Sequence, residues 1–287
     1  MLSDLGILWE WEHDTRFVLL LDSTCYKRGK RCYLISLHNL DESIAKIQDG
    51  KLRFRTVLDR ASDTNEAFKP VINYHRERGA RIINDPEKAA LANDKARMHL
   101  ECIQEGLHVP YTLIVQPSEN FEIRALDLMG TPFVIKPAQG GGGEGVVIGA
   151  RDGRDIAKAR EYDPEQPVLI QEQVFPREFN GKRCWFRVFF VCGKIIGCFW
   201  DDTTHIYQRF TPSEERNFID LPLIMEKIHT LSGLEFFSTE IAQWRNGRFV
   251  IVDYVNDQCD MRFQSDTPDG VPDAVVEEIA TAIVTTV

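Results

Sequence analysis

The stretch Phe133-Val-Ile-Lys136-Pro-Ala-Gln-Gly140-Gly-Gly-Gly143-Glu-Gly-Val-Val-Ile148 combines residue types that suit anion chemistry. An apolar segment delivers Lys136, four consecutive glycines follow, and a second apolar segment leaves. Without side chains the backbone can approach an anion closely, so loop N–H groups point at phosphate oxygens while the lysine supplies charge. The pattern is that of a flap over phosphates, with a flexible hairpin tip as the competing reading. The chain contains no GxxxxGK[ST], and the glycines lead into a strand pattern instead of opening a helix.

A second constellation spans residues 236–257. Two apolar segments flank Asn246-Gly247, a strong hairpin signal, which puts Glu240 and Asp253 on neighbouring strands. Magnesium prefers carboxylate and amide oxygens and keeps phosphates as further ligands. The acidic pair therefore suits an ion beneath a triphosphate, with plain surface acids as the bland alternative.

These segments need a scaffold, and the composition provides for one. At 43% hydrophobic and 27% charged residues the 287-residue chain is globular, and its length calls for two or three sub-domains. Its net charge of -10 and the lack of a basic run argue against nucleic acid as a partner. No apolar run approaches a bilayer span and the start has no basic leader pattern, so no membrane partner and a cytoplasmic location are expected. The seven cysteines form no CxxC pair and read as buried thiols.

Residues 7–11, 31–36, 52–58 and 80–83 read as strands alternating with helices at 15–28 and 65–78, the pattern of an open parallel sheet. Asp85 and Pro86 open a helix predicted to run through Glu105 and to carry Asn93-Asp94-Lys95. Short strands follow at 111–115, 133–136, 145–149 and 168–171, then at 184–191, 194–199, 236–244 and 248–254, with a closing helix at 275–284. The fold class is α/β in the first third and α+β in the rest, with boundaries near 87 and 174.

The order Asn93-Asp94-Lys95, Val134-Ile-Lys136-Pro with its glycine loop, Leu169-Ile-Gln-Glu172-Gln-Val174, an Arg-bearing strand, Glu240 and Asp253-Tyr-Val-Asn256 resembles the ATP-grasp superfamily. Within it the resemblance is to carboxylate-amine ligases of the ribosomal-protein glutamate ligase and glutathione synthetase type, over roughly residues 80–287. It implies an ATP-grasp fold with an N-terminal open parallel-sheet pre-grasp domain (1–87), a central subdomain with a glycine-rich lid (88–174) and a C-terminal subdomain with the metal and substrate site (175–287).

Residue by residue, the resemblance gives Lys95 and Lys136 the ATP phosphates, with Gly141, Gly142 and Gly143 closing over them. Residues 171–174 match the hinge that reads adenine, Glu172 and Val174 above all, and Glu178 matches a ribose-binding acid. Arg187 matches the arginine that reaches the transferred phosphoryl group, a task suited to a guanidinium that keeps its proton; Arg183 is its alternative. Glu240, Asp253 and Asn256 match the ligands of Mg2+, or of Mn2+ in its place. The family usually separates its carboxylate and asparagine by one residue, whereas here two intervene; a bulge at Tyr254-Val255 restores the direction of Asn256, or Asp257 takes its role. Arg262 falls where a substrate carboxylate is bound, and His99, Cys102 and His205 read as structural or surface residues.

The implied reaction joins a small-molecule or peptide carboxylate to an amine through an acylphosphate, releasing ADP and phosphate; many relatives are homodimers. Alternatives are a kinase acting on a small-molecule hydroxyl and a non-catalytic nucleotide-binding regulator. Phosphoryl transfer asks for alignment and charge stabilisation, which agrees with the lack of a Ser-His-Asp signature.

Overall fold

The computed structural model describes residues 1–117 and 126–287. Its first third alternates β1 (Leu2–Trp9), α1 (Thr15–Lys27), β2 (Cys32–Ile35), α2 (Leu40–Gln48), β3 (Arg53–Arg60), α3 (Lys69–Arg76) and β4 (Arg81–Ile83). The strands form one parallel sheet in the order β2-β1-β3-β4. β1 and β3 are central and covered on both faces, so Leu5, Ile7, Leu8, Val57 and Leu58 are all buried instead of alternating with polar residues. α1 packs on one face, α2 and α3 on the other.

Several boundaries differ from those predicted, β1 beginning at Leu2 instead of residue 7 among them, and two of the shifts have a visible local cause. β1 stops at Trp9 instead of Trp11 because residues 12–14 turn and bury Asp14 against Arg60, at 2.6 Å. The helix predicted at 65–78 starts at Lys69, since the Asn65 side chain caps the Ala67 N–H and Pro70 fits only a first turn.

A larger difference follows. Where one helix is predicted from 86 to 105, the chain forms α4 (Pro86–Ala92) and α5 (Lys95–Gln104). Asp94 has extended backbone and its carboxylate accepts from the Arg97 N–H at 3.0 Å, so it caps a new helix in mid-stretch. Lys95 thereby becomes a first-turn residue whose N–H donates to Ala138 O at 2.8 Å.

The middle of the chain holds β5 (Thr112–Val115), α6 (Leu126–Met129), β6 (Phe133–Pro137), β7 (Val147–Ala150), α7 (Gly153–Arg160) and β8 (Val168–Glu172), with the strands antiparallel in the order β5-β8-β6-β7. Phe133 and Ile135 pack under α6 and α7, and strand alternation turns Lys136 to the other face.

The last third comprises β9 (Glu178–Phe179), β10 (Lys182–Arg183), β11 (Trp185–Val191), β12 (Lys194–Trp200), β13 (Tyr207–Arg209), α8 (Pro212–Glu215), α9 (Asp220–Ser232), β14 (Phe236–Gln243), β15 (Phe249–Asn256) and α10 (Asp273–Thr285). Its main sheet is antiparallel, in the order β13-β12-β11-β14-β15. One face packs on α5 and α9 through Phe186, Val188, Phe190, Phe237, Ile241 and Ile251. On the other face Phe189, Val191 and Ile196 join the core of α1 and α10, which leaves the Trp185 and Arg187 end of β11 outside that core. All seven cysteines are unpaired. Among the described residues no helix is long and apolar enough to cross a membrane.

Candidate nucleotide site between the antiparallel sheets

Strand register builds the charged centre. Arg187 on β11 pairs with Glu240 on β14, which pairs with Asp253 on β15, so three charged side chains stand in one row across three strands. Arg187 and Glu240 form an ion pair at 2.6 Å, and Trp185 Nε1 donates to Glu240 at 3.4 Å. Burial works against the Arg187 charge, but Glu240, Tyr207 and Asp253 together outweigh it and hold the guanidinium above its usual range. The ring of Trp200 lies 4.9 Å from the guanidinium carbon, with His205 stacked on the same indole at 5.1 Å. Two buried polar atoms in this row, Arg187 Nε and Asp253 Oδ1, have no hydrogen-bond partner among the described residues. Unpaired buried polar atoms are costly, so their presence in one row marks a place built for something else to bind.

The β14–β15 ladder is irregular where it matters. Ser238 pairs with Asn256 and Glu240 with Asp253, so three residues of β14 (238–240) lie opposite four of β15 (253–256) and a bulge falls at Tyr254–Val255. That bulge, anticipated from the spacing, brings Asn256 back to the face of Asp253. Asp257 is drawn elsewhere: its carboxylate accepts from Asn84 at 2.8 Å, and burial pushes its pKa up to about 7 against that hydrogen bond.

One lysine reaches this row from the other sheet, Lys136 on β6, and the second, Lys95, stands in the first turn of α5, which packs on the row's own sheet. Lys136 Nζ donates to Val252 O at 2.9 Å, next to Asp253, and Lys95 Nζ donates to Gly140 O in the glycine loop. Burial lowers the Lys95 pKa, Lys136 adds to that effect, and Asp253 opposes it. A cation in the first turn of α5 also runs against the helix dipole, which favours an anion there. Backbone carbonyls thus supply the negative ends that phosphate oxygens could replace. In the loop, Gly143 sits at φ +79° with open space around it, whereas Gly145, at φ +69°, lies against the Tyr162 ring. Gly141, Gly142 and Gly143 are exposed.

Beside the charged row lies an apolar band. Val174 is buried with Trp185, Ala242, Val250 and Val252, a surface suited to a flat aromatic face. Glu172 does not point there: its carboxylate accepts from the Tyr111 N–H at 2.7 Å, closing the end of β8. Sequence reasoning missed Trp185, two residues from Arg187 on one strand face, and Gln173, whose buried side-chain oxygen has no partner among the described residues. Glu178 is exposed on β9 opposite Arg183, which pairs with Asp202 at 2.8 Å, away from the row. Arg262 is committed to Asp260 at 2.6 Å and Asp269 at 3.0 Å. His99 and Cys102 are buried in the protein core; burial lowers the His99 pKa to about 4.

Residues 74–173 match the family described as sugar-transfer associated ATP-grasp. The whole chain superposes on a RimK domain ATP-grasp protein from Sphaerobacter thermophilus, with a TM-score of 0.68 and 20% identity over 98% of each chain. The chain has the ATP-grasp fold. The same fold is shared with D-alanine–D-alanine ligase from Bacillus anthracis complexed with ATP (TM-score 0.66, 14% identity, 99% of this chain and 96% of that one). It is shared also with the ATP-grasp ligase PsnB complexed with minimal precursor, magnesium and ADP (TM-score 0.66, 16% identity, 98% of each). No curated protein matches in sequence. The coverage takes in the N-terminal parallel sheet, so the shared ATP-grasp architecture extends beyond residues 80–287, where the sequence motifs lie.

Proposed function

We propose that the protein is an ATP-dependent carboxylate-amine ligase, with functional units at 1–87, 88–174 and 175–287. The observation that carries this reading is the row Arg187–Glu240–Asp253, with an unpaired guanidinium nitrogen and an unpaired carboxylate oxygen, met by Lys136 from the opposing sheet and by Lys95 from the first turn of α5. Lys95 and Lys136 hold the ATP phosphates, the loop at 141–143 closes over them, Val174 packs on adenine and Glu178 reaches the ribose. Glu240, Asp253 and Asn256 would hold magnesium, and the unpaired Asp253 oxygen fits a hard cation. Magnesium would supply charge neutralisation at the phosphates.

In the reaction a substrate carboxylate oxygen attacks the γ-phosphorus and the bond to ADP breaks, leaving an acylphosphate. Arg187 stabilises the charge on the transferred group, since it keeps its proton and has an unpaired N–H. The amine nitrogen then attacks the carbonyl carbon, phosphate leaves and the nitrogen loses a proton. Closure of the glycine loop excludes water from the acylphosphate. A peptide carboxylate is among the candidate acids, because the PsnB structure holds a minimal precursor. The unpaired cysteines suit a reducing cytoplasm.

A screen of amino acids and peptides for magnesium-dependent ADP release, with hydroxylamine present, tests the reading. A ligase gives a hydroxamate only with ATP and its own acid. A phosphate ester without hydroxamate would mark a hydroxyl kinase instead, and background release with every candidate a non-catalytic nucleotide binder.

A further inference from the structure

Asp253 and Asn256 share a face only because β15 carries an extra residue between them, and an inserted residue has to be held in place. Tyr254 is 2% exposed and lies in the core shared with α5 and α9. Its hydroxyl is 2.7 Å from His99 Nδ1 and 3.0 Å from Gln171 Nε2, and that same amide nitrogen is 3.1 Å from Thr112 Oγ1. Its carbonyl accepts from Thr239 Oγ1 of β14 at 2.8 Å.

An amide nitrogen can only donate, so Gln171 gives to the phenolic oxygen, and the buried Tyr254 O–H finds its acceptor at His99 Nδ1 in the tautomer that leaves this nitrogen unprotonated. His99 lies one helical turn from Lys95 on α5, Gln171 leads into residues 172–174, and Tyr254 adjoins Asp253. One hydroxyl therefore ties together the helix of one phosphate lysine, the strand that ends at the hinge and the strand of the metal-facing acid.

We propose that Tyr254 is a positioning residue: its hydroxyl, held between His99 and Gln171, fixes the bulge that presents Asp253 and Asn256 together and sets their place relative to Lys95. The proposal rests on the nucleotide-site reading above. Partners that orient metal ligands are worth about 10–100-fold in metal affinity.

The test is calorimetric titration with the non-hydrolysable analogue AMPPNP, with and without magnesium. Tyr254→Phe should cut the magnesium-dependent gain in affinity about tenfold, by the same reasoning. Thr239→Val, which removes the hydrogen bond to the Tyr254 carbonyl, should lower that gain too, and Thr239→Ser should restore it. If Tyr254→Phe does not fold, the Thr239 pair decides. A wild type that binds no AMPPNP overturns the site reading and the proposal with it. A wild type that binds, beside variants that keep the full magnesium gain, overturns the proposal alone.

Discussion

The glycine loop and the charged row face one another yet are built on opposite principles. The loop is exposed, carries no side chain from 140 to 143, and meets Lys95 through the Gly140 carbonyl. The row is half-buried to buried, and its members are set by a 2.6 Å ion pair between Arg187 and Glu240 and by strand register. Function and stability should therefore separate on the loop side and coincide on the row side.

Lys136→Ala gives the largest expected effect. ADP release should fall at least a hundredfold, the scale of losing one charge stabiliser, with little change in unfolding free energy. A destabilisation as large as that of an Arg187 variant would break the comparison. Arg187→Ala should also lose about a hundredfold in kcat, and in addition about 3 kcal/mol of stability in denaturant titration, because Glu240 is left as an uncompensated buried charge. Gly143→Ala should slow turnover about tenfold while costing ~1–2 kcal/mol, the penalty of placing a side chain at its positive φ.

The last effect concerns pH and touches stability alone. The folded-state pKa of His99, about 4, lies below the unfolded value of about 6.5. The unfolded chain thus binds the proton first as pH falls, and stability present above pH 6.5 drains away toward pH 4, by about 3 kcal/mol. Denaturant titrations of His99→Asn at the two ends of this range should show a shallower acid-side loss than wild type; an equal loss would mean that His99 carries none of it.

Legibility divides along the same line. Lys136 and the glycine run stand out by residue type alone, and that a turn between two paired strands follows Lys136 was readable from the sequence. Glu240 and Asp253 were readable because Asn246-Gly247 sets a hairpin register, and the bulge followed from one surplus residue. The split between α4 and α5 was hidden, since Asn93-Asp94 is compatible with a helix interior until Ala138 is seen to take the Lys95 N–H. α9 escaped because Pro222 interrupts an apolar run, although a first turn tolerates it. Trp200 beside Arg187 and the His99–Tyr254–Gln171 chain join residues far apart in sequence, and no local pattern encodes such contacts.

The central claim is that the lysine side and the acid side grip one magnesium nucleotide. A double-mutant cycle of Lys136→Gln and Asp253→Asn, read as magnesium–AMPPNP affinity, tests it most directly. Groups acting on one ligand should couple by about 1 kcal/mol or more, so the double variant binds more tightly than the product of the single losses allows. Simple additivity within about 0.3 kcal/mol, or a wild type with no affinity for the nucleotide, would contradict the account.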